Sequence, residues 1–307
     1  MIDAGTAGSA DTGIPAHSRA AAAAQPHVTD LRFTLLGTGT SSGIPVIACD
    51  CATCTSTDPR DRRSRVGAIL EFTDPTGTPR VILIDCPPDH REHALRHRIR
   101  RDDAILFTHA HVDHVFGLDD ARLYNVTMKA PINLYAERTV IDELTRIYDH
   151  IFRPHRNVNK SFVADVVTAV VEPGRAVHLF GIDAMPVRLL HGALPILGWR
   201  FDAAAGTPSV VPAAGTHATL PIAYCTDVNA IPPESWSALA GLDLLVLDML
   251  RERKHPTHFS LSEALEAAAQ LSARRTVFTH MTHDVRHAEL SARLPAGVEL
   301  GFDGMQC

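Results

Sequence analysis

The stretch Thr108-His109-Ala110-His111-Val112-Asp113-His114 decides how this chain of 307 residues is read. It follows the apolar run 104–107, which reads as a buried strand, so His109 and His111 leave a strand end on extended backbone. Side chains two apart on such backbone point the same way, which brings the two imidazoles to one side. Asp113 and His114 come where the chain must turn, placed to face a second ion. Nitrogen donors mixed with a carboxylate suit Zn²⁺, Fe²⁺ or Mn²⁺ better than Ca²⁺ or Mg²⁺.

Working outward, the composition is that of a soluble globular protein, 45% hydrophobic and 21% charged, with eighteen histidines. Lys+Arg number 29 against 35 Asp+Glu. That net charge of -6 argues against coating nucleic acid, while leaving room for a small phosphate site. No apolar run approaches the roughly 18–20 residues that span a bilayer. Six cysteines do not make a disulfide scaffold, and three crowd together at Cys49, Cys51 and Cys54, which points to a metal site in a reducing, cytoplasmic setting. Residues 1–28 are rich in Ala, Gly, Ser and Thr, lack a basic start and a long apolar core, and are expected to be a disordered leader.

From 29 to 307 the pattern predicts one α/β domain built on two sheets. Strands are expected over 31–36, 66–72, 80–84, 104–107, 132–135, 166–171, 176–179, 185–190, 198–202, 222–225, 244–247 and 276–279, with a hairpin turn at Asp74-Pro75-Thr76-Gly77. Helices are expected over 90–101, near 139–151, over 260–271 behind the capping box Ser260-Leu261-Ser262-Glu263, and up to 291–294. The Arg/His-rich helix 90–101 reads as a solvated face. Gly37-Thr38-Gly39 through Gly43 lacks the Gly-Lys-Ser/Thr of a P-loop and reads as a tight turn. Arg122, Tyr124 and Asn125 follow the histidine motif closely enough to touch a phosphate or to serve structure.

The histidine run resembles the His-x-His-x-Asp-His signature of the metallo-β-lactamase-fold hydrolases. The resemblance implies an αββα sandwich of two mixed β-sheets flanked by helices, with a two-metal site at one edge. It implies an Asp closing the preceding strand, and Asp85 follows Val81–Ile84. It further implies a His after a later strand (Leu190-His191), a bridging Asp (Thr226-Asp227) and a last His (Thr279-His280), all present in order. By position, one metal would take His109, His111 and His191, the other Asp113, His114 and His280, with Asp227 bridging. Asp85 would orient a ligand. Paired ions polarise a substrate oxygen and acidify a water.

Cys49-Asp50-Cys51-Ala52-Thr53-Cys54 closes three corners of a tetrahedron, so a Cys₃ loop needs a distant fourth ligand. The run Thr279-His280-Met281-Thr282-His283 supplies His283. Together with Thr34-Leu35-Leu36-Gly37-Thr38-Gly39 and Leu300-Gly301-Phe302-Asp303-Gly304-Met305, these features resemble the phosphoribosyl 1,2-cyclic phosphate phosphodiesterase (PhnP) subfamily. That likeness implies a structural Zn²⁺ at the Cys₃His site and Mn²⁺ or Zn²⁺ at the catalytic pair. It also implies a leaving-group histidine before a late helix, where His258 stands, with His255 as substitute. The segment Thr40-Ser41-Ser42-Gly43-Ile44-Pro45 and the length of 139–175 depart from the subfamily pattern and leave the substrate less defined than the subfamily.

The expected activity is thus a phosphodiesterase acting on a small cyclic phosphodiester, a ribosyl 1,2-cyclic phosphate or a cyclic nucleotide. In it hydroxide on the metals attacks phosphorus, Asp113 and Asp227 hold the ions, and His258 protonates the departing oxygen. A tRNA 3′-processing endonuclease is one alternative, although no basic Gly/Pro-rich arm is evident. A thioester or lactone hydrolase is another, needing no proton donor at 258. The pyrroloquinoline-quinone biosynthesis protein B group shares the Cys loop and offers a binding role, but its motif positions are replaced where all seven are intact here. The expected partner is a small phosphodiester, with neither membrane nor nucleic acid, and the resemblance allows a homodimer.

Overall fold

The computed structural model describes residues 1, 27–158, 161–207, 209–216 and 219–307. The expected leader lies, from 2 to 26, outside the described residues. The described chain forms two seven-stranded mixed sheets. The first holds β1 (Val28–Gly37), β2 (Gly67–Thr73), β3 (Pro79–Ile84), β4 (Ala104–Leu106), β5 (Ile132–Ala136) and β6 (Val166–Val170), in that spatial order, with a late strand, β10 (Val210–Pro212), on the far side of β1. The second runs β14 (Val298–Leu300), β13 (Arg275–Thr279), β12 (Leu244–Asp248), β11 (Ile222–Cys225), β9 (Leu194–Ala203), β8 (Ile182–His191) and β7 (Val177–Leu179). In each sheet a parallel half, β3 to β6 or β11 to β14, adjoins an antiparallel hairpin.

Between the sheets, alternating side chains meet in one core that includes Phe33, Leu70, Ile82, Leu106, Trp199, Phe201, Tyr224, Val246 and Val277, all fully buried. Helices cover the outer faces. On the first sheet lie α1 (His90–His97), α2 (Val112–Val115), α3 (Arg122–Met128), α4 (Arg138–Ile147) and α5 (Asp149–Phe152), with Val140, Ile141, Leu144 and Ile151 packed inward. On the second lie α6 (Leu261–Leu271) and α7 (His287–Ser291). This is the expected αββα sandwich. None of the helices among the described residues is long and apolar enough to cross a membrane.

Local differences have local causes. The helix expected over 90–101 stops at His97, because Arg98 takes a left-handed conformation (φ 55) and Ile99 turns into the core. Nor is it a wholly solvated face. His90 and His93 are buried, and burial pushes their imidazoles down to about 4 and about 3, so they stay neutral. The helix expected near 139–151 breaks into α4 and α5 at Tyr148, whose hydroxyl donates to the carbonyl of Val115 at 3.0 Å. The last helix ends at Ser291, short of 294. Four short elements were not expected: β10, β14, α2 and α3.

The turn expected from Gly37 comes later, at 40–43, where the Gly43 amide donates to the Thr40 carbonyl at 2.9 Å, and Gly37 itself ends β1 under a steric constraint. A Cβ there would lie 2.0 Å from the carbonyl oxygen of Arg65, since β1 and the 63–65 segment touch backbone to backbone. Gly37→Ala is expected to destabilise by about 3 kcal/mol, the upper part of the usual overpacking range. Chemical denaturation would show this as a lower midpoint at constant m; an unchanged midpoint would contradict the packing.

Candidate active site

Strand ends build the site. Asp85 follows β3, the 108–114 run follows β4, His191 ends β8, Asp227 lies two residues past β11, Asp248 ends β12 and His280 follows β13. All but β8 belong to the parallel halves, so these side chains gather where the carboxyl ends of both sheets meet, the usual place for sites in open α/β sheets. Asp85, Asp227 and His280 each sit in the left-handed region, with φ of 61, 59 and 62. Side chains other than glycine take this conformation at an energetic cost, and it turns each one off its strand line toward the centre.

Two donor groups result. Ligand atoms of His109, His111 and His191 lie within 4.8 Å of one another, as do those of Asp113, His114, Asp227 and His280. The groups adjoin. The rings of His109 and His114 are 4.1 Å apart, and His114 Nε2 is 3.2 Å from Asp227 Oδ2 while His280 Nε2 is 3.2 Å from Asp227 Oδ1. One carboxylate thus faces both histidines with different oxygens. Asp113 and His114 ride on the single turn of α2 rather than on an irregular turn, and Asp113 Oδ2 reaches to 3.5 Å from His114 Nε2. His111 is exposed and marks the open side.

Hydrogen bonds on the far side of the rings fix which nitrogen faces inward. His191 Nδ1 donates to the carbonyl of Thr257 at 2.8 Å, an oxygen that can only accept. His114 Nδ1 donates to Asp85 Oδ2 at 2.7 Å. Thr108 Oγ1 donates to the same carboxylate at 2.9 Å and is left to accept from His109 Nδ1 at 3.0 Å. Each ring therefore turns an Nε2 lone pair to the centre, the usual preparation of metal-binding histidines.

The electrostatics agree. Burial pushes Asp113 and Asp227 up, but His114 and His280 outweigh it and hold both carboxyls well below the usual range. Burial, reinforced by His114, drives His109 far down, so it is neutral. Its Nε2, like the Nε2 atoms of His114 and His280, is buried without a hydrogen-bond partner. Buried polar atoms are rarely orphaned, and such a group normally marks a catalytic role or an ion. Ionised carboxylates set among imidazole nitrogens fit divalent cations of the Zn²⁺ or Mn²⁺ type.

Asp85 is fully buried, and its two oxygens accept from the Thr108 amide and hydroxyl and from His114 Nδ1, so it touches the donor centre through those residues. Asp85→Asn is expected to lower hydrolytic activity and metal affinity 10–100-fold, the usual effect of losing a residue behind a ligand. Metal titration of the variant checks this, and wild-type affinity would exclude the orienting role.

His258 stands against both groups. A nitrogen of its ring lies within 4.8 Å of ligand atoms of His191 and Asp227, and its ring centre is 4.6 Å from that of His191 and 4.7 Å from that of His280. Its Nδ1 donates to Asp248 Oδ2 at 2.8 Å, and the same oxygen accepts the Val228 amide at 2.7 Å. Burial holds the His258 imidazole below its ordinary value, opposed by Asp227 and Asp113. Burial, with the Asp227 charge, pushes Asp248 well up, and His280 opposes it. Asp248 was not singled out from sequence, although Leu244-Leu245-Val246-Leu247-Asp248 carries the same signal as Asp85, an apolar strand closed by aspartate. His255 is further out, its ring 5.2 Å from that of His258 and its Nδ1 accepting from Thr257. Arg122 pairs with Asp119, Tyr124 bonds buried His90, and Asn125 ties down Ala130 and Asp165, so all three serve structure.

A second donor group lies along the 49–54 loop. His283 Nδ1 is 3.2, 3.5 and 3.6 Å from the sulfurs of Cys49, Cys51 and Cys54. Zn–S bonds of about 2.3 Å and Zn–N bonds of about 2.0–2.1 Å set the S···N edge of a tetrahedron near 3.5 Å, so the four atoms fit one zinc. The Cys51 thiol is pulled down to about 6, chiefly by the Cys54 amide, while burial pushes Cys54 up to about 11.

Comparison with known proteins supports the family and the fold. A family model described as a β-lactamase superfamily domain matches residues 80–281. A solved structure of a diphosphatase from the PhnP family is similar at 38% identity and TM-score 0.77, over 91% of this chain and 97% of that one. Zinc-bound PqqB from Methylobacterium extorquens (17% identity, TM-score 0.66, 90% and 99% of the two chains) and the short form of human tRNase Z (18%, 0.62, 90% and 98%) share the fold. A curated relative from Porphyromonas gingivalis, named octanoyltransferase, is 32% identical over 278 residues. They cover 90% of this chain and 51% of the relative, so the chain spans about half the length of the curated relative it matches.

Proposed function

We propose, for a chain that belongs to the β-lactamase superfamily and has its metallo-β-lactamase hydrolase fold, hydrolysis of a small cyclic phosphodiester such as a ribosyl 1,2-cyclic phosphate or a cyclic nucleotide. The observation that carries this is the Asp248–His258 pair set against the two donor groups. A thiolate leaves a thioester without a proton, whereas an alkoxide leaving phosphorus needs an acid.

In this proposal His109, His111 and His191 would hold one divalent cation and Asp113, His114 and His280 the other, with Asp227 shared. When bound, Zn²⁺ or Mn²⁺ supplies positive charge for phosphoryl oxygens and lowers the pKa of a water. The chain's own residues do the rest. Asp85, Thr108 and Thr257 keep the Nε2 atoms turned inward. Asp248 accepts from His258 Nδ1 and leaves Nε2 to carry the proton that the departing oxygen takes. Zn²⁺ at Cys49, Cys51, Cys54 and His283 would be structural. Six thiols with no disulfide among the described residues suit a reducing compartment such as the cytoplasm.

The PhnP-family neighbour is named a diphosphatase, which favours a second reading, cleavage of a phosphoanhydride by the same groups. Metal-counted protein assayed on a ribosyl 1,2-cyclic phosphate, 2′,3′-cyclic nucleotides, a linear aryl diester, a nucleoside diphosphate compound and a precursor tRNA separates them. Preference for one cyclic diester, abolished by chelation and restored by Mn²⁺ or Zn²⁺, is expected. Turnover of the diphosphate compound alone would establish the second reading. Failure on every phosphorus ester by protein holding both catalytic ions would sink both.

A further inference from the structure

We propose that Cys51 and Cys54 form a redox-active pair, which a hydroperoxide closes to a disulfide, opening the Cys₃His group and loosening the segment that carries His280. The run Cys51-Ala52-Thr53-Cys54 lies on a single turn, because the Thr55 amide and hydroxyl both donate to the Cys51 carbonyl at 3.0 Å. Residues three apart on such a turn share a face. The sulfurs of Cys51 and Cys54 accordingly lie within 4.8 Å of each other, a gap that rotation about the side-chain bonds can close.

Access singles this pair out. Cys86, Cys225 and Cys307 are at most 1% exposed, and buried thiols of that kind are inert. Cys51 is half-buried and Cys54 is 8% exposed. The Cys54 amide donates to the Cys51 sulfur at 3.5 Å, and the Val46 amide donates to the Cys54 sulfur at 3.3 Å, so backbone holds both sulfurs in place. Cys51 is the more open of the two and meets the oxidant first. Its sulfur attacks hydrogen peroxide as the thiolate. An S–O bond forms, the O–O bond breaks, and the departing hydroxide takes the proton the thiol has lost. The Cys54 sulfur then attacks the Cys51 sulfur, forming S–S and breaking S–O, and its own proton leaves with that hydroxide as a second water. Two thiols have lost two electrons, and one peroxide has become two waters.

Closure reaches beyond the loop. His283 Nδ1 stands 3.5 and 3.6 Å from these two sulfurs, and a disulfide sulfur no longer serves as a thiolate ligand. Cys49 and His283 alone do not complete a tetrahedron. The 279–283 segment then keeps its backbone bonds, Met281 to Thr38 at 2.9 Å, Thr40 to Met281 at 3.1 Å and Thr282 to Leu250 at 2.9 Å, but loses its tie to the 49–54 loop. His280 lies three residues before His283, so the loosening falls on a member of the group that also holds Asp113, His114 and Asp227. This inference rests on the Cys₃His reading and is independent of the proposed substrate.

The test titrates the metal-loaded full chain, counted for zinc, with hydrogen peroxide. Thiols are mapped by alkylation and mass spectrometry, zinc release is followed with a chromophoric chelator, and hydrogen exchange is read over 279–283. One Cys51–Cys54 disulfide and one released Zn²⁺ per chain are expected, forming roughly tenfold or more faster than oxidation of Cys86, Cys225 or Cys307. Exchange at 279–283 should rise about tenfold in step. Dithiothreitol with added Zn²⁺ should reverse all three changes. In Cys54→Ser the same oxidant should stop at a Cys51 sulfenic acid, captured by dimedone. A disulfide that joins Cys49 instead, direct passage of wild-type Cys51 to sulfinic acid, thiols at 51 and 54 that outlast the buried three, or unchanged exchange after closure would each overturn the proposal. The zinc count before oxidation tests the Cys₃His reading separately, since thiol mapping reports on the pair with or without the ion.

Discussion

Replacing His258 with alanine is expected to lower kcat on a cyclic diester with an alkyl leaving group by roughly 10²–10⁴-fold, the usual contribution of a general acid, with KM changed only a few-fold. The ring lies outside the His109–His111–His191 and Asp113–His114–Asp227–His280 groups but shares possible donor sets with His191 and Asp227 and with Asp248 and His280, so metal content is measured beside turnover to separate loss of a ligand from loss of an acid. Leaving-group dependence gives the sharper readout. An aryl oxide departs without a proton, so the defect should shrink strongly on a p-nitrophenyl diester. A merely structural histidine would depress both substrates alike. Asp248→Asn removes the acceptor of His258 Nδ1 and is expected to reproduce part of the defect, about 10–100-fold. Equal loss on alkyl and aryl substrates would end the acid assignment for His258.

The second large effect concerns stability. Cys51→Ala should abolish zinc binding at the Cys₃His group and lower Tm by about 10 °C or more. Structural zinc in small domains is worth about 10–16 kcal/mol of apparent binding energy, and each kcal/mol moves Tm roughly 2–4 °C in a chain of this size class. Part of that energy is lost because the remaining ligands bind the metal more weakly, and the larger fold retains its own core. Activity should fall as well. His283 lies three residues from His280, and the Met281 between them bonds backbone to backbone with Thr38 and Thr40. Elemental analysis with calorimetry checks this, and a variant that keeps its full zinc content and wild-type Tm would remove the ion from the scheme.

Much of this was legible from residue order because both sheets repeat one device, an apolar strand that ends in a chelating or carboxylate residue. Asp85, His109 and His280 each follow a run of buried strand residues, and the two-residue spacing of His109 and His111 carries its geometry in the sequence. Asp248 shows the limit. It has the same local signal, but its role depends on where the 255–260 loop folds, and only the three-dimensional structure places His258 Nδ1 on it. Short edge strands such as β10 and β14 were invisible for a different reason. Three residues contain no period, and their pairing is set by partners far along the chain. The buried histidines of α1 were misjudged because Arg and His read as polar, whereas His93 reaches Ser64 at 2.7 Å and His90 reaches Tyr124. The inward Nε2 atoms likewise follow from hydrogen bonds that sequence spacing does not encode.

The left-handed backbone at Asp85, Asp227 and His280 sets durability against chemistry at these three positions. Holding histidine there costs about 1–2 kcal/mol, and less for the two aspartates, whose short polar side chains enter this region more readily; glycine would relax all three. A laboratory selection that rewards heat resistance alone would therefore drift toward Gly or Asn at 85, 227 and 280. Its winners would be sturdier proteins with no working centre, so any thermostabilising programme on this scaffold has to screen for turnover in every round.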